Sequence, residues 1–161
     1  MIDALFRLAY RCAYRAMRLY WKAFRPLAHG ALVAVWHDRK LLLIKNSYVD
    51  YFSLPGGYVR RGEQPRDAAV RELREEISLS VTPEDLQLRI DETHDWEGRR
   101  DHVAIFELVV AERPQVRVDN REVVAAEFVS PEEALRRNLF PPLRRLIQAR
   151  ATALADASNA V

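Results

Sequence analysis

Apolar and polar positions alternate in recognisable blocks along the chain. Residues 3–25 are mostly apolar, but Arg7, Arg11, Arg15, Arg18, Lys22 and Arg25 interrupt them at spacings of three and four. That is the period of one amphipathic helix. Pro26 and Gly30 then punctuate a short connection. Residues 31–36 and 40–45 are branched apolar runs parted by His37, Asp38 and Arg39, which predicts strand, tight turn and strand. Leu41, Leu42, Leu43 and Ile44 do not alternate, as expected of a strand buried on both faces.

Pro55, Gly56 and Gly57 mark a turn, with a short strand expected at 58–60. Pro65 opens a helix expected to run to Ile77, with Ala69, Leu73 and Ile77 facing inward at spacings of four. Residues 86–93 and 102–110 read as strands joined by a charged loop at 95–101, and 123–129 as another strand. Ser130 and Pro131 start a helix, with proline at the first helical position. A last helix is expected from Phe140 to about Ala155, with Leu143, Leu146, Ile147 and Leu154 on one face. Strands and helices mix without regular βαβ alternation, which predicts one α/β domain with a sheet between helices. Residues 1–28 are assigned to the basic amphipathic helix and 29–161 to the domain.

At 161 residues the chain is one domain's worth of sequence. Its single cysteine, Cys12, excludes a disulfide framework and a four-cysteine zinc site. No apolar run is long enough to span a membrane. The arginines of the first helix break the unbroken apolar stretch that a signal peptide needs. A cytoplasmic location follows as the expectation, with peripheral association at the inner membrane surface as an extension of it.

Candidate chemistry concentrates in residues 57–79, GYVRRGEQPRDAAVRELREEISL. Glu72, Glu75 and Glu76 fall on one helical face, because they are spaced by three and four. Carboxylates gathered on one face repel one another, and a hard divalent cation such as Mg²⁺ or Mn²⁺ relieves that repulsion. Arg71, four residues before Glu75, can orient them.

The segment resembles the Nudix box of the Nudix hydrolases. Gly57, Glu63, Arg71, Glu72, Leu73, Glu75, Glu76 and Leu79 match, and Ser78 stands where the family has its final glycine. Residues 53–57, Ser-Leu-Pro-Gly-Gly, are similar to the family's lead-in. The resemblance covers about residues 30–146. It implies a Nudix-like α/β/α sandwich with a mixed sheet, to which the N-terminal amphipathic helix is an addition. It implies metal-dependent hydrolysis of a diphosphate linkage, very often in a nucleoside diphosphate derivative. By the same resemblance Glu72, Glu75 and Glu76 ligate Mg²⁺ or Mn²⁺, with the Gly56 carbonyl as a further ligand. Glu63 is the accessory glutamate and Arg71 the orienting arginine. The general base is expected at Glu122, with Glu75 as the alternative. The family glycine sits where a left-handed helix cap is often needed, so Ser78 is expected to cost about 1 kcal/mol.

Weaker substrate-binding candidates are Asp101, Tyr58 and Phe52, and Trp36, Tyr51 and Trp96 could also stack on a ring. No signature for ADP-ribose, dinucleoside polyphosphates, oxidised nucleotides or capped RNA is present. A nucleotide-sensing or RNA-binding module on the same scaffold is the alternative reading, since fold does not dictate chemistry.

The near-neutral net charge of +2 hides two opposed parts. Residues 1–25 carry six basic residues against Asp3, net +5, whereas residues 26–161 carry 19 basic and 22 acidic, net −3. The six cations span roughly 80° of a helical wheel, and most of the remaining surface is apolar. Three roles fit. The apolar face packs on the domain or on a second copy in a homodimer, with the arginines in solvent. It lies on an anionic membrane surface. Or the arginines track the phosphates of RNA or draw in an anionic substrate.

Overall fold

The computed structural model describes residues 2–159, with side chains described through Thr152. Helix α1 (Ile2–Phe24) is followed by β1 (Leu27–His37), β2 (Lys40–Asn46), β3 (Phe52–Ser53) and β4 (Gly56–Tyr58). Then come α2 (Pro65–Ile77), β5 (Gln87–Trp96), β6 (Arg99–Val109), β7 (Val123–Val129), α3 (Pro131–Leu135) and α4 (Pro141–Asn159). Among the described residues all seven strands join one mixed sheet, ordered β3-β2-β1-β6-β5, with β4 also on β1 and β7 on β2. β1 and β6 run parallel over ten residue pairs, from Leu27 with Arg100 to Trp36 with Val109. β1 thus begins inside the segment that sequence assigns to the helix.

The pleat sorts apolar residues into two layers. Ala31, Val33 and Val35 of β1, with Leu42 and Ile44 of β2, pack on Ala68, Ala69, Leu73 and Ile77 of α2. The alternate residues, Ala34, Trp36, Leu41 and Leu43, pack on Ala134, Leu143 and Ile147 of α3 and α4. The result is the expected α/β/α sandwich. Leu41 to Ile44 are buried on both faces, which is why that run does not alternate. Leu154 lies outside the residues whose side chains are described.

Turn chemistry explains the main departure. The charged loop expected at 95–101 is a two-residue turn between β5 and β6. Glu97 and Gly98 both take positive φ, 49° and 87°, the backbone of a tight hairpin that matches strand twist. Asp38 and Arg39 do the same between β1 and β2, where a turn was expected.

Helix α1 lies against the domain with an unexpected face. Trp21 is its buried residue. Arg7 Nε donates to the Asn120 carbonyl at 2.8 Å and Arg11 Nε to the Ser47 carbonyl at 3.0 Å. Asp3 pairs with Arg121 at 2.9 Å, and Tyr14 donates to Glu97. The helix therefore docks through part of its basic arc and the bordering aromatics. Leu5, Leu8, Leu19 and Phe24 of the wide apolar face remain exposed. The expectation that this face packs on its own domain is not met, because carbonyls and the Glu97 carboxylate lie along the seam and take arginine and tyrosine donors instead.

Candidate functional site

Two glycines bring a strand against a glutamate helix. Gly56 has φ +140°, and a Cβ there would lie 2.2 Å from the Ala31 carbonyl oxygen, so only glycine fits the approach of β4 to β1. At Gly57 a Cβ would lie 2.6 Å from Glu72 Oε1. The second glycine thus leaves room for a carboxylate rather than for a backbone turn. Across the same gap the Gly56 amide donates to Glu76 Oε2 at 2.7 Å.

Glu76 is almost fully buried, unlike a glutamate on a solvated helix face. Burial pushes its carboxyl well above the usual carboxylate range; the Gly56 hydrogen bond opposes this, and Glu72, Glu122 and Asp119 add to it through like-charge repulsion. Leu73 and Ile77, fully buried on the same helix, fix its position.

Arg71 organises the remaining acids. Its Nε donates to Glu63 Oε1 at 2.9 Å and its Nη2 to Glu63 Oε2 at 3.0 Å. Nη1 donates to Glu72 Oε1 at 2.6 Å and to Glu75 Oε2 at 3.3 Å, and Nη2 also reaches the Tyr58 carbonyl at 3.1 Å. Glu63, which also accepts from the Arg60 amide at 2.8 Å, is held down to about 2, chiefly by the Arg71 hydrogen bond. Glu75 is nearly half exposed and is shared between Arg71 and Arg60.

Glu122 reaches the same centre from the start of β7. Its amide is capped by Asp119 Oδ1 at 3.1 Å, and its carbonyl accepts from the Ser47 amide at 2.8 Å. Tyr48 donates to Glu122 Oε1 at 3.2 Å. Burial raises the Glu122 carboxyl, the Tyr48 hydrogen bond opposes this, and Glu72 and Asp119 raise it further. Helix α1 brackets this segment, with Arg7 on Asn120, Asp3 on Arg121 and Arg11 on Ser47.

Among the described residues no three acidic, histidine or cysteine side chains stand close enough together to cage a metal ion as placed. The donor set still fits a hard cation. Glu72 and Glu76 carry oxygen donors beside the Gly56–Gly57 strand, and burial first, then Glu72, Glu122 and Asp119, push the Glu76 carboxyl up.

A cavity of about 280 Å³ opens beside this centre. Gly56, Gly57 and Glu122 line it, as do Tyr48, Tyr51 and Tyr58. Helix α1 contributes Tyr10, Tyr14 and Trp21 to its wall. Arg99 and Asp101 also line it, paired through Arg99 Nη2 and Asp101 Oδ2 at 2.8 Å. The Arg99 guanidinium lies 3.9 Å from the centre of the Trp21 ring, and its Nη1 is buried without a hydrogen-bond partner.

The structure therefore brings Glu72, Glu76, Glu122 and Gly56 together, with Arg71, Glu63 and Glu75 around them. Tyr58 and Asp101 line the adjoining cavity. Phe52 does not line it: strand alternation puts Tyr51 and Ser53 on that side and leaves Phe52 between Lys45 and Arg137. Trp36 is core, and Trp96 packs on Tyr51 and Phe140. Sequence reasoning missed Tyr48, Asp119 and Arg99, and did not place α1 in the cavity wall. The one available signal was the tyrosines and tryptophan bordering the arginine arc.

A three-layer sandwich with a glutamate helix beneath a glycine strand defines the class. The NUDIX domain family profile matches residues 26–149, and the chain belongs to the Nudix hydrolase family. It is 41% identical over 64 residues to an ADP-ribose pyrophosphatase of Methanocaldococcus jannaschii, covering 36% of this chain and 38% of that one. It is 37% identical over 73 residues to an RNA pyrophosphohydrolase of Hydrogenovibrio crunogenus, covering 45% and 41%. The matches thus span about two fifths of those relatives' lengths. The solution structure of the E. coli ORF135 protein superposes with a TM-score of 0.64 at 25% identity, over 84% of this chain and 95% of that one. The crystal structure of a MutT NUDIX hydrolase from Burkholderia pseudomallei gives 0.66 at 22% identity, over 76% and 96%.

Proposed function

We propose that the protein hydrolyses a diphosphate linkage in a nucleoside diphosphate derivative. The observation that carries this reading is the packing of Glu72 and Glu76 against the Gly56–Gly57 strand, with both glycines and Glu122 lining an aromatic cavity. Family membership and the pyrophosphatase relatives support it.

Glu72, Glu75 and Glu76, with the Gly56 carbonyl as a further oxygen, are the residues that would hold Mg²⁺ or Mn²⁺. Bound there, the cation supplies neutralisation of phosphate charge. Arg71 keeps Glu63 and Glu72 in place and ties Glu75 to Glu72 through its Nη1. Glu122 is the base: Tyr48 fixes one of its oxygens, and its raised carboxyl suits accepting a proton from water. The water oxygen bonds to phosphorus, the bridging P–O bond breaks, and two phosphorylated products leave. Glu75, exposed and tied to two arginines, is the poorer base.

The cavity takes the group attached to the diphosphate. Its rings favour a planar group, and Arg99 Nη1, 4.0 Å from Glu97 Oε2 but without a hydrogen bond, has room for an acceptor atom on it. The test is a panel of nucleoside diphosphate derivatives assayed with Mg²⁺ or Mn²⁺. Turnover that Glu76→Gln leaves unchanged would sink the site. Tight binding without turnover across the panel would instead favour the sensing module.

A further inference from the structure

Helix α1 presents to solvent a face that soluble proteins usually bury. At 100° per residue, Leu8, Leu19, Leu5, Ile2, Tyr20, Phe6 and Phe24 cover an arc of roughly 160°. All seven are exposed, with Leu5 at 68% and both Leu19 and Phe24 at 71%. The helix cannot turn this face inward. Trp21 is buried, and Arg7, Arg11 and Tyr14 are bonded to the domain on the opposite side. A contiguous exposed apolar surface of this kind marks an interaction site.

Charge selects the occupant. Arg15 and Lys22 border the apolar arc on one edge, are exposed, and make no ion pair among the described residues. The helix as a whole carries net +4, so a second copy apposed through this face would meet its own charge. A bilayer with anionic headgroups offers both complements, hydrocarbon for the leucines and phenylalanines and negative charge for the flanking cations. Over 23 residues the helix is about 35 Å long, enough to lie along such a surface. Tyr20 and Phe24, with ring centres 5.0 Å apart, add aromatic rings to the apolar face, as on interfacial helices.

We propose that α1 docks the enzyme on an anionic lipid bilayer through Leu5, Leu8, Leu19 and Phe24, with Arg15 and Lys22 on the headgroups. The helix that lies on the membrane also supplies Tyr10, Tyr14 and Trp21 to the cavity wall on its other side. Docking therefore places the cavity within about one helix diameter, roughly 10 Å, of the lipid surface.

The test is flotation of the full-length protein with vesicles of phosphatidylcholine alone or with phosphatidylglycerol added. Co-flotation with the anionic vesicles is expected, at least about tenfold above phosphatidylcholine alone, and weakening with salt. Leu5→Glu with Leu19→Glu should abolish it while circular dichroism and melting temperature stay as in the parent, since both side chains lie in solvent. Arg15→Glu with Lys22→Glu should remove the preference for phosphatidylglycerol. Protein left at the bottom of the gradient with anionic vesicles overturns the proposal, as does equal flotation with phosphatidylcholine alone. A dimer mass in light scattering that Leu5→Glu with Leu19→Glu reduces to a monomer overturns it in favour of a second copy. None of these readouts depends on turnover, so failure here leaves the proposed hydrolysis standing, and the reverse.

Discussion

The Glu76 carboxylate accepts a hydrogen bond from the Gly56 amide at 2.7 Å, linking the last turns of α2 to the strand it supports. Burial first, and then three acidic neighbours, oppose its ionisation, so its charged form is held at a cost. Glutamine keeps the acceptor oxygen and removes the charge. Glu76→Gln should lower kcat on the order of 10²-fold or more, with the melting temperature equal to or above that of the parent. Calorimetry beside the kinetic assay separates the two effects. A variant that loses stability and activity together would mean that Glu76 serves the fold.

Glu122 and Tyr48 act as a pair in the proposed base. Removing the base should cost roughly 10²–10⁴-fold in kcat, read from Glu122→Gln. Tyr48→Phe removes one hydrogen bond to the carboxylate and should cost far less, about tenfold. Tyr48→Phe matching the loss in Glu122→Gln would assign the key role to the phenol.

Most of the scaffold and the first half of the site were legible in sequence because they rest on local spacing. α2 runs over the expected Pro65–Ile77, and Ser130 caps α3 as its residue type suggests, accepting from the Glu133 amide at 3.2 Å. What was not legible depends on distant partners. Arg7 finds its acceptor 113 positions away and Tyr48 finds Glu122 74 positions away. The apolar arc of α1 suggested an inward face, but strong acceptors on the domain surface drew the arginine and tyrosine side instead. Charge in residues 95–101 suggested a loop, whereas two residues with positive φ close a tight hairpin there.

Ser78 occupies the left-handed cap of α2, at φ 59° and ψ 28°, with its amide bonded to the Leu73 carbonyl. A side chain at that φ is strained, and glycine is not. Ser78→Gly should stabilise the fold by about 1 kcal/mol, raising the melting temperature by about 2–4 °C for a domain of this size. Activity should stay near the parent level, because all three α2 glutamates lie upstream. No change in melting temperature would show that the serine is accommodated without strain.

Glu63 links stability to pH through Arg71. Its folded carboxyl is held near 2 against an ordinary 4.5, first by the Arg71 hydrogen bond and then by the Arg60 amide. A depressed carboxylate stabilises the fold above its ordinary pKa and loses that contribution as pH falls towards its folded value. Glu63→Gln should therefore melt below the parent at pH 6, and the gap should close as pH falls from 4.5 towards 2. A gap that stays constant across that range would mean that the contact acts through packing rather than through charge.

Trp21 lines the cavity, with the Arg99 guanidinium 3.9 Å from its ring centre. It is also the buried anchor of α1, so Trp21→Ala should cost about 3–5 kcal/mol and loosen the whole helix. Trp21→Phe keeps an apolar ring and most of the anchor while shrinking the surface on which Arg99 stacks. In that variant KM should rise, because Arg99 is less well held for the bound group, and kcat should change little, because Glu72, Glu76 and Glu122 are untouched. Steady-state kinetics on the best substrate of the panel decides between them: a fall in kcat at constant KM would place Trp21 in the support of the catalytic glutamates rather than in the binding cavity.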